Sequence, residues 1–117
     1  MLTLRLIYET LVFVKVIVLD VCKKELSKFP QEVIEDFVDA VALLNKGVIL
    51  NMPLSKQMPS IGKGTFELRF KDRSGIYRVF YVIKKKDAIY AVHAFQKKTQ
   101  KTPNKVIELV KKRIRSL

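Results

Sequence analysis

Arg78 is the one charged residue in the apolar run Ile76–Ile83, IYRVFYVI. A guanidinium inside such a strand is costly unless it is paired or faces a cleft. Glu67 and Asp72 are the acids near enough in sequence to pair with it, and the other reading is a cation that grips phosphate oxygens. Arg69, in the alternating segment FELRFK, and Lys97, Lys98 and Lys101, in HAFQKKTQKTP, supply further cations. Such a set can stabilise charge on a phosphoryl group. In RNA the ribose 2′-hydroxyl would attack the adjacent phosphorus to leave a 2′,3′-cyclic phosphate, a route that DNA lacks because it has no 2′-hydroxyl. His93, the only histidine, alternates with Ile89, Ala91 and Phe95 and is either a hydrogen-bonded structural residue or a proton-transfer group. Tyr77, Tyr81 and Tyr90 read as core or sheet-face residues, with Tyr81 on the face opposite Arg78 unless a bulge intervenes.

The charge distribution points the same way. Residues 1–50 carry seven acids and six bases, net −1, whereas residues 51–117 carry four acids and seventeen bases, net +13. That asymmetry implies a polyanionic partner, nucleic acid before membrane. There is no Cys/His cluster, and Glu67, Asp72, Asp87 and Glu108 show no ligand spacing, so neither a metal nor another cofactor is expected. Gly62-Lys63-Gly64-Thr65 resembles a phosphate loop only superficially, because the first glycine of that motif is missing and a strand pattern follows. The single cysteine, Cys22, allows no disulfide within the chain, which suits a reduced cytoplasm. The apolar run Leu11–Leu19 is nine residues long and holds Lys15, whereas a membrane span needs about 20. It also lacks the features of a signal peptide, so a buried strand is expected.

The elements that must position these residues form one domain over 1–117. The role of Met1–Thr10 is left open. Val12–Leu19 reads as a strand, Val21–Phe29 as a short helical stretch with Asp20 as N-cap, and PQEVIEDFVDAVALLNKG (30–47) as a longer helix with proline in its first turn and Gly47 as C-cap. Its apolar face is expected on Val33, Ile34, Phe37, Val38, Val41 and Leu44. Residues 48–65, with two prolines and two glycines, read as a long loop. Phe66–Lys71, Ile76–Ile83 and Ile89–Phe95 read as an antiparallel meander with turns at 72–75 and 84–88. Thr102 and Pro103 then supply the N-cap and first residue of a terminal helix lined by Val106, Leu109, Val110, Ile114 and Leu117 and ending in Lys111, Lys112, Arg113 and Arg115.

The series FELRFKDRSGIYRVFYVI, then AIYAVHAFQKKTQKTP, then a basic helix resembles the HigB-type, phage-derived branch of the RelE/ParE toxin superfamily of type II toxin–antitoxin systems. The match covers roughly residues 12–117, with GIYRVFY and HAFQKKTQKTP its most specific segments. The resemblance implies an α+β, RelE-like fold: a twisted antiparallel sheet of about four strands, N-terminal helices on one face and a C-terminal basic helix. It also implies a cytoplasmic, ribosome-dependent, metal-independent mRNA endoribonuclease that inhibits translation. A HigA-like helix-turn-helix antitoxin would neutralise it and alone would connect it to operator DNA; the other partners would be the ribosome and mRNA, with no membrane. Carried over, the family's sheet arginine falls on Arg78, the preceding strand's cation on Arg69 and the post-strand basic position on Lys97 or Lys98.

The expected catalytic set is Arg69, Arg78, Lys98 and His93. Lys63, Lys71, Arg73, Lys97, Gln100, Lys101 and Phe95 are expected to hold RNA or ribosome. Some relatives use a Tyr or His near the C-terminus for proton transfer, but here nothing after His93 is either, and Lys98 or Lys101 would need a large pKa shift to act as a base. The alternatives are a ParE-like gyrase inhibitor and a non-catalytic nucleic-acid-binding module.

Overall fold

The computed structural model describes residues 14–85 and 88–117. Residues 1–13, with the start of the expected Val12–Leu19 strand, and residues 86 and 87 of the 84–88 turn lie outside the described residues. The elements are β1 (Lys15–Val18), α1 (Asp20–Leu26), α2 (Gln31–Asn45), β2 (Ser55–Gln57), β3 (Thr65–Asp72), β4 (Gly75–Lys85), β5 (Ala88–Lys97) and α3 (Asn104–Arg115). They build a five-stranded sheet in the order β1-β5-β4-β3-β2.

Two features correct the expected four-stranded antiparallel sheet. β1 pairs with β5 in parallel, Lys15 opposite Ala88 through Val18 opposite Ala91, and closes that stretch of the β5 edge. Residues 48–65 are not loop throughout, because β2 adds an antiparallel strand along Phe66–Leu68 of β3. Ser-Lys-Gln carries no alternating pattern; the strand forms because β3 offers it a free edge, and beside it the Arg69 N–H donates to the Leu54 carbonyl at 2.8 Å. The last strand also runs two residues beyond the expected Phe95, so Gln96 and Lys97 belong to the sheet.

Helix starts differ by one position from expectation. Leu19 occupies the N-cap of α1 and Asp20 is its first helical residue, with no side-chain cap bond. Pro30 and Pro103 sit at the N-cap positions of α2 and α3 with ψ of 149° and 146°. Their fixed φ suits either position, and the extended ψ places them just outside the helix. Thr102 is therefore no cap. Gly47, at φ +80°, follows α2 as the left-handed terminator.

Side-chain alternation along the strands divides the interior into two clusters. Leu68, Phe70, Tyr77, Val79, Tyr81, Ile89, Ala91 and Ala94 pack with Cys22 and Leu26 of α1 and Val33, Phe37, Ala40 and Leu44 of α2. Phe80, Val82 and Val92 pack with Ile61 and with Val106, Ile107, Val110 and Ile114, all four at or in α3. The buried stripe of α2 runs 33-37-40-44, so Val38, expected inside, is 57% exposed while Ala40 is buried. No helix among the described residues is long and apolar enough to cross a membrane.

Gly64 joins the 58–64 loop to β3 at φ +74°, and a β-carbon there would lie 3.0 Å from the Ile83 carbonyl oxygen. That backbone is tied in place, since Ile83 N–H donates to Gly64 O at 2.9 Å. Gly64→Ala is expected to lower the unfolding free energy by about 1–3 kcal/mol, measured by urea denaturation. An unchanged midpoint would mean that the loop relaxes around the side chain.

Candidate nucleic-acid interface

The hairpin register brings the cations together. Asp72 opposes Gly75 across the turn, which sets Arg69 directly opposite Arg78. β5 then places Phe95 opposite Arg78 and Lys97 opposite Ile76. All lie on the sheet face that carries α3, but α3 covers only its Phe80–Val82–Val92 end. The remainder, with Arg69, Arg78 and Lys97, opens to solvent as a cavity of about 450 Å³ that Ile76, Lys98, Thr99 and Gln100 also line.

Two arginines directly opposite repel each other unless a counter-charge is shared. Glu67, one alternation from Arg69 on the same face and 2% exposed, supplies it. Its Oε1 lies 3.4 Å from Arg78 Nε and 3.8 Å from Arg69 Nε. The Arg78 contact is an ion pair and not an aligned hydrogen bond, since Nε lacks a hydrogen-bond partner. Arg78 Nη1 instead donates to the Tyr77 carbonyl at 3.1 Å and the Phe70 carbonyl at 3.5 Å. Asp72, the other acid in reach by sequence, is engaged locally and accepts from Ser74 N–H at 2.8 Å and Ser74 Oγ at 2.6 Å. Thr102 Oγ1 donates to Glu67 Oε2 at 3.3 Å and ties the 98–103 linker to the site.

The cluster has more positive charge than Glu67 can balance. Lys56 of β2 opposes Glu67 and so joins the same face. Burial lowers the pKa of the Lys97 ammonium; Glu67 works against the shift, and Arg78, Arg69 and Lys56 add to it. Burial likewise lowers that of Arg78, opposed by Glu67 and assisted by Arg69, although a guanidinium stays charged throughout. Four cations around one carboxylate form a site for an anion, and two guanidiniums suit the paired oxygens of a phosphate.

Of the residues expected from sequence, the fold brings Arg69, Arg78, Lys97, Lys98 and Gln100 to this cavity. Lys71 lines a chamber that adjoins it across the arginines. Arg73 is exposed in the β3–β4 turn, Lys101 is exposed in the linker, and exposed Lys63 precedes the opposite end of β3. His93 stands apart: it is buried, its Nδ1 is 3.0 Å from Glu25 Oε2 and 3.1 Å from Arg113 Nη1, and burial lowers its pKa. Phe95 is half-buried and lies between the rings of His93 and Phe80, at centroid distances of 5.3 and 6.0 Å.

The register steps from Phe80 opposite His93 to Tyr81 opposite Ala91, so Val92 is the extra residue of a bulge in β5. Because the bulge is in β5, β4 keeps its alternation. Tyr81 falls on the face opposite Arg78, where its hydroxyl meets Ser55 Oγ at 2.8 Å. Sequence reasoning missed Lys56, hidden in an unpatterned three-residue strand, and the role of Thr102, whose place before proline mimics a helix cap.

The family described as Phage derived protein Gp49-like matches residues 24–115, a span that holds every member of the cation cluster. Comparison with curated proteins gave no match.

Proposed function

The chain belongs to the Gp49-like family of phage-derived proteins, which is related to RelE-type toxin nucleases and associated with toxin–antitoxin toxins, and on that premise we propose that it is the toxin of a type II system, a ribosome-dependent mRNA endoribonuclease. The observation that carries this reading is the convergence of Arg69, Arg78 and Lys97 on one cavity, with Glu67 as their shared counter-charge. In the proposed reaction Arg69 and Arg78 hold the non-bridging oxygens of the scissile phosphate as charge builds on them. The 2′-oxygen forms its bond to phosphorus, its proton leaves to solvent, and the bond from phosphorus to the 5′-oxygen breaks. The products are a 2′,3′-cyclic phosphate and a 5′-hydroxyl end. Lys97, whose lowered pKa makes it a better acid than an ordinary lysine, donates the proton to the departing 5′-oxygen. Lys98 and Gln100 hold the flanking strand, and the ribosome supplies the alignment of the 2′-hydroxyl with the leaving group.

The family also suggests an antitoxin partner. We assign it the helix-turn-helix class, with an acidic or amphipathic segment that covers the cavity and carries any contact with operator DNA. The reading is tested by mapping mRNA 5′ ends by primer extension after the purified protein is added to a translating extract, beside the same mRNA without ribosomes. New ends are expected only where ribosomes are present. No new ends in either lane, together with DNA-damage signalling in cells, would replace this reading with a ParE-like gyrase inhibitor.

A further inference from the structure

Beside the cationic cavity lies a second chamber of about 430 Å³, separated from it by the shared side chains of Arg69, Arg78 and Ile76. Its other walls differ in kind: Pro53 and Leu54 face the arginines, Lys71 also lines the space, and Phe70 contributes its carbonyl, which accepts from Arg78 Nη1 at 3.5 Å, while its ring packs in the core on the opposite face. Two large apolar side chains are left in solvent around it, Ile76 at 42% exposure and Met52 at 56%. Neither belongs to a core cluster. The loop that forms the wall is fixed to the sheet, since Leu54 O accepts from Arg69 N–H at 2.8 Å and Asn51 O accepts from Ser55 N–H at 3.0 Å. Met52 Sδ lies 3.5 Å from Arg69 Nη1, so the guanidinium is propped as the partition between the two chambers.

A ligand that fills both spaces must be anionic at one end and flat and apolar at the other, within the width of one arginine pair. A nucleotide has that form. The phosphate belongs among Arg69, Arg78 and Lys97, and the neighbouring base belongs against Pro53, Leu54 and Ile76 with an arginine plane on its face. We infer that the apolar chamber is a nucleobase subsite for the nucleotide flanking the bound phosphate, with Ile76 and the 52–54 loop as its specificity-determining wall. This rests on the reading of the adjoining cavity as a phosphate site. Besides the arginines, Lys71 is the one polar side chain that lines the chamber, so the subsite takes an unpaired base chiefly by stacking and shape, and single-stranded RNA rather than duplex.

The test uses the full chain and a non-cleavable 2′-O-methyl ApApA trinucleotide, beside versions with an abasic residue at each position, titrated calorimetrically. Loss of one particular base is expected to weaken binding about tenfold, on the order of one stacked base, and loss of the others much less. In Ile76→Thr, which keeps a β-branched side chain in the strand, that tenfold difference should shrink to about twofold. Inorganic phosphate is titrated in parallel. Its failure to bind would remove the phosphate cavity, whereas the base-to-abasic ratio reports on the chamber alone. Equal binding of all abasic versions to the wild type, or an undiminished ratio in Ile76→Thr, would overturn the subsite. So would a tenfold preference for Asp-Phe-Asp over Asp-Ala-Asp with no contribution from any base, which would give the chamber to a protein side chain.

Discussion

Arg78→Ala is expected to lower ribosome-dependent cleavage by about 10²–10³-fold, on the order of losing one preorganised donor at a developing oxyanion. The proposed role needs a cation that does not move. Arg78 is 6% exposed and held by two backbone carbonyls and Glu67, so its position is set before substrate arrives. Arg78→Lys should not restore the rate, because an ammonium on a flexible stem cannot span two phosphate oxygens. Arg78→Ala also has a structural cost: it leaves Glu67, 2% exposed, with only Arg69 at 3.8 Å and Thr102 at 3.3 Å. Removing one member of a buried pair costs about 3–5 kcal/mol, and Arg69 and Thr102 place this case at the lower end. Glu67→Gln with Arg78→Ala separates the two effects. The double variant should recover most of the unfolding free energy, measured by chemical denaturation, and none of the cleavage. Recovery of cleavage in the double variant would mean that Arg78 acts only by neutralising Glu67, and the phosphate-holding role would be lost.

What could be read from the residues divides along the range of the interactions involved. A charge inside an apolar strand marks Arg78 wherever the strand lies, and the turn residues Asp72–Gly75 set the β3–β4 register, so the pairing of Arg69 with Arg78 was within reach of counting. The choice of Glu67 over Asp72 depends on Ser74, which satisfies Asp72 locally. Lys97 entered the cavity because β5 continues past Phe95, an extension that its polar residues do not announce. Lys56 and the parallel pairing of β1 arise from the needs of β3 and β5 for edge partners, and no periodicity in SKQ or KVIV encodes either. His93 shows the opposite limit. Its residue type admits catalysis, but its place depends on Glu25 and Arg113, 68 and 20 residues away.

That distant contact carries an effect on stability as large as the one expected at Arg78. β1 ends opposite Ala91, and beyond it the β5 edge is met by a side chain. Glu25 Oε1 accepts from the Ala94 N–H at 3.2 Å and from Arg113 Nη1 at 2.8 Å, while Oε2 meets His93 Nδ1 at 3.0 Å, so one carboxylate joins α1, β5 and α3. Glu25→Ala leaves a backbone donor unpaired and Arg113 with only the Val92 carbonyl and the His93 ring. It is expected to cost about 3 kcal/mol at neutral pH. Burial pushes the Glu25 carboxyl upward, but Arg113, the Ala94 N–H and His93 outweigh it and hold its pKa below the usual 4.5. Its contribution is therefore complete above 4.5 and is lost as pH falls through the lower folded value. Burial also holds His93 below its usual 6.5 despite the pull of Glu25. The unfolded chain thus takes up that proton first, and stability falls as pH descends through 6.5 toward the folded value. Both groups act with the same sign, so the guanidinium midpoint should drop in two steps on acidification. His93→Gln should remove the upper step and Glu25→Ala the lower one. Glu25→Ala should also widen the upper step, because His93 loses the carboxylate that raises its pKa. A midpoint that stays flat in the wild type from about pH 7.5 to 5 would show that the cluster does not couple folding to protonation.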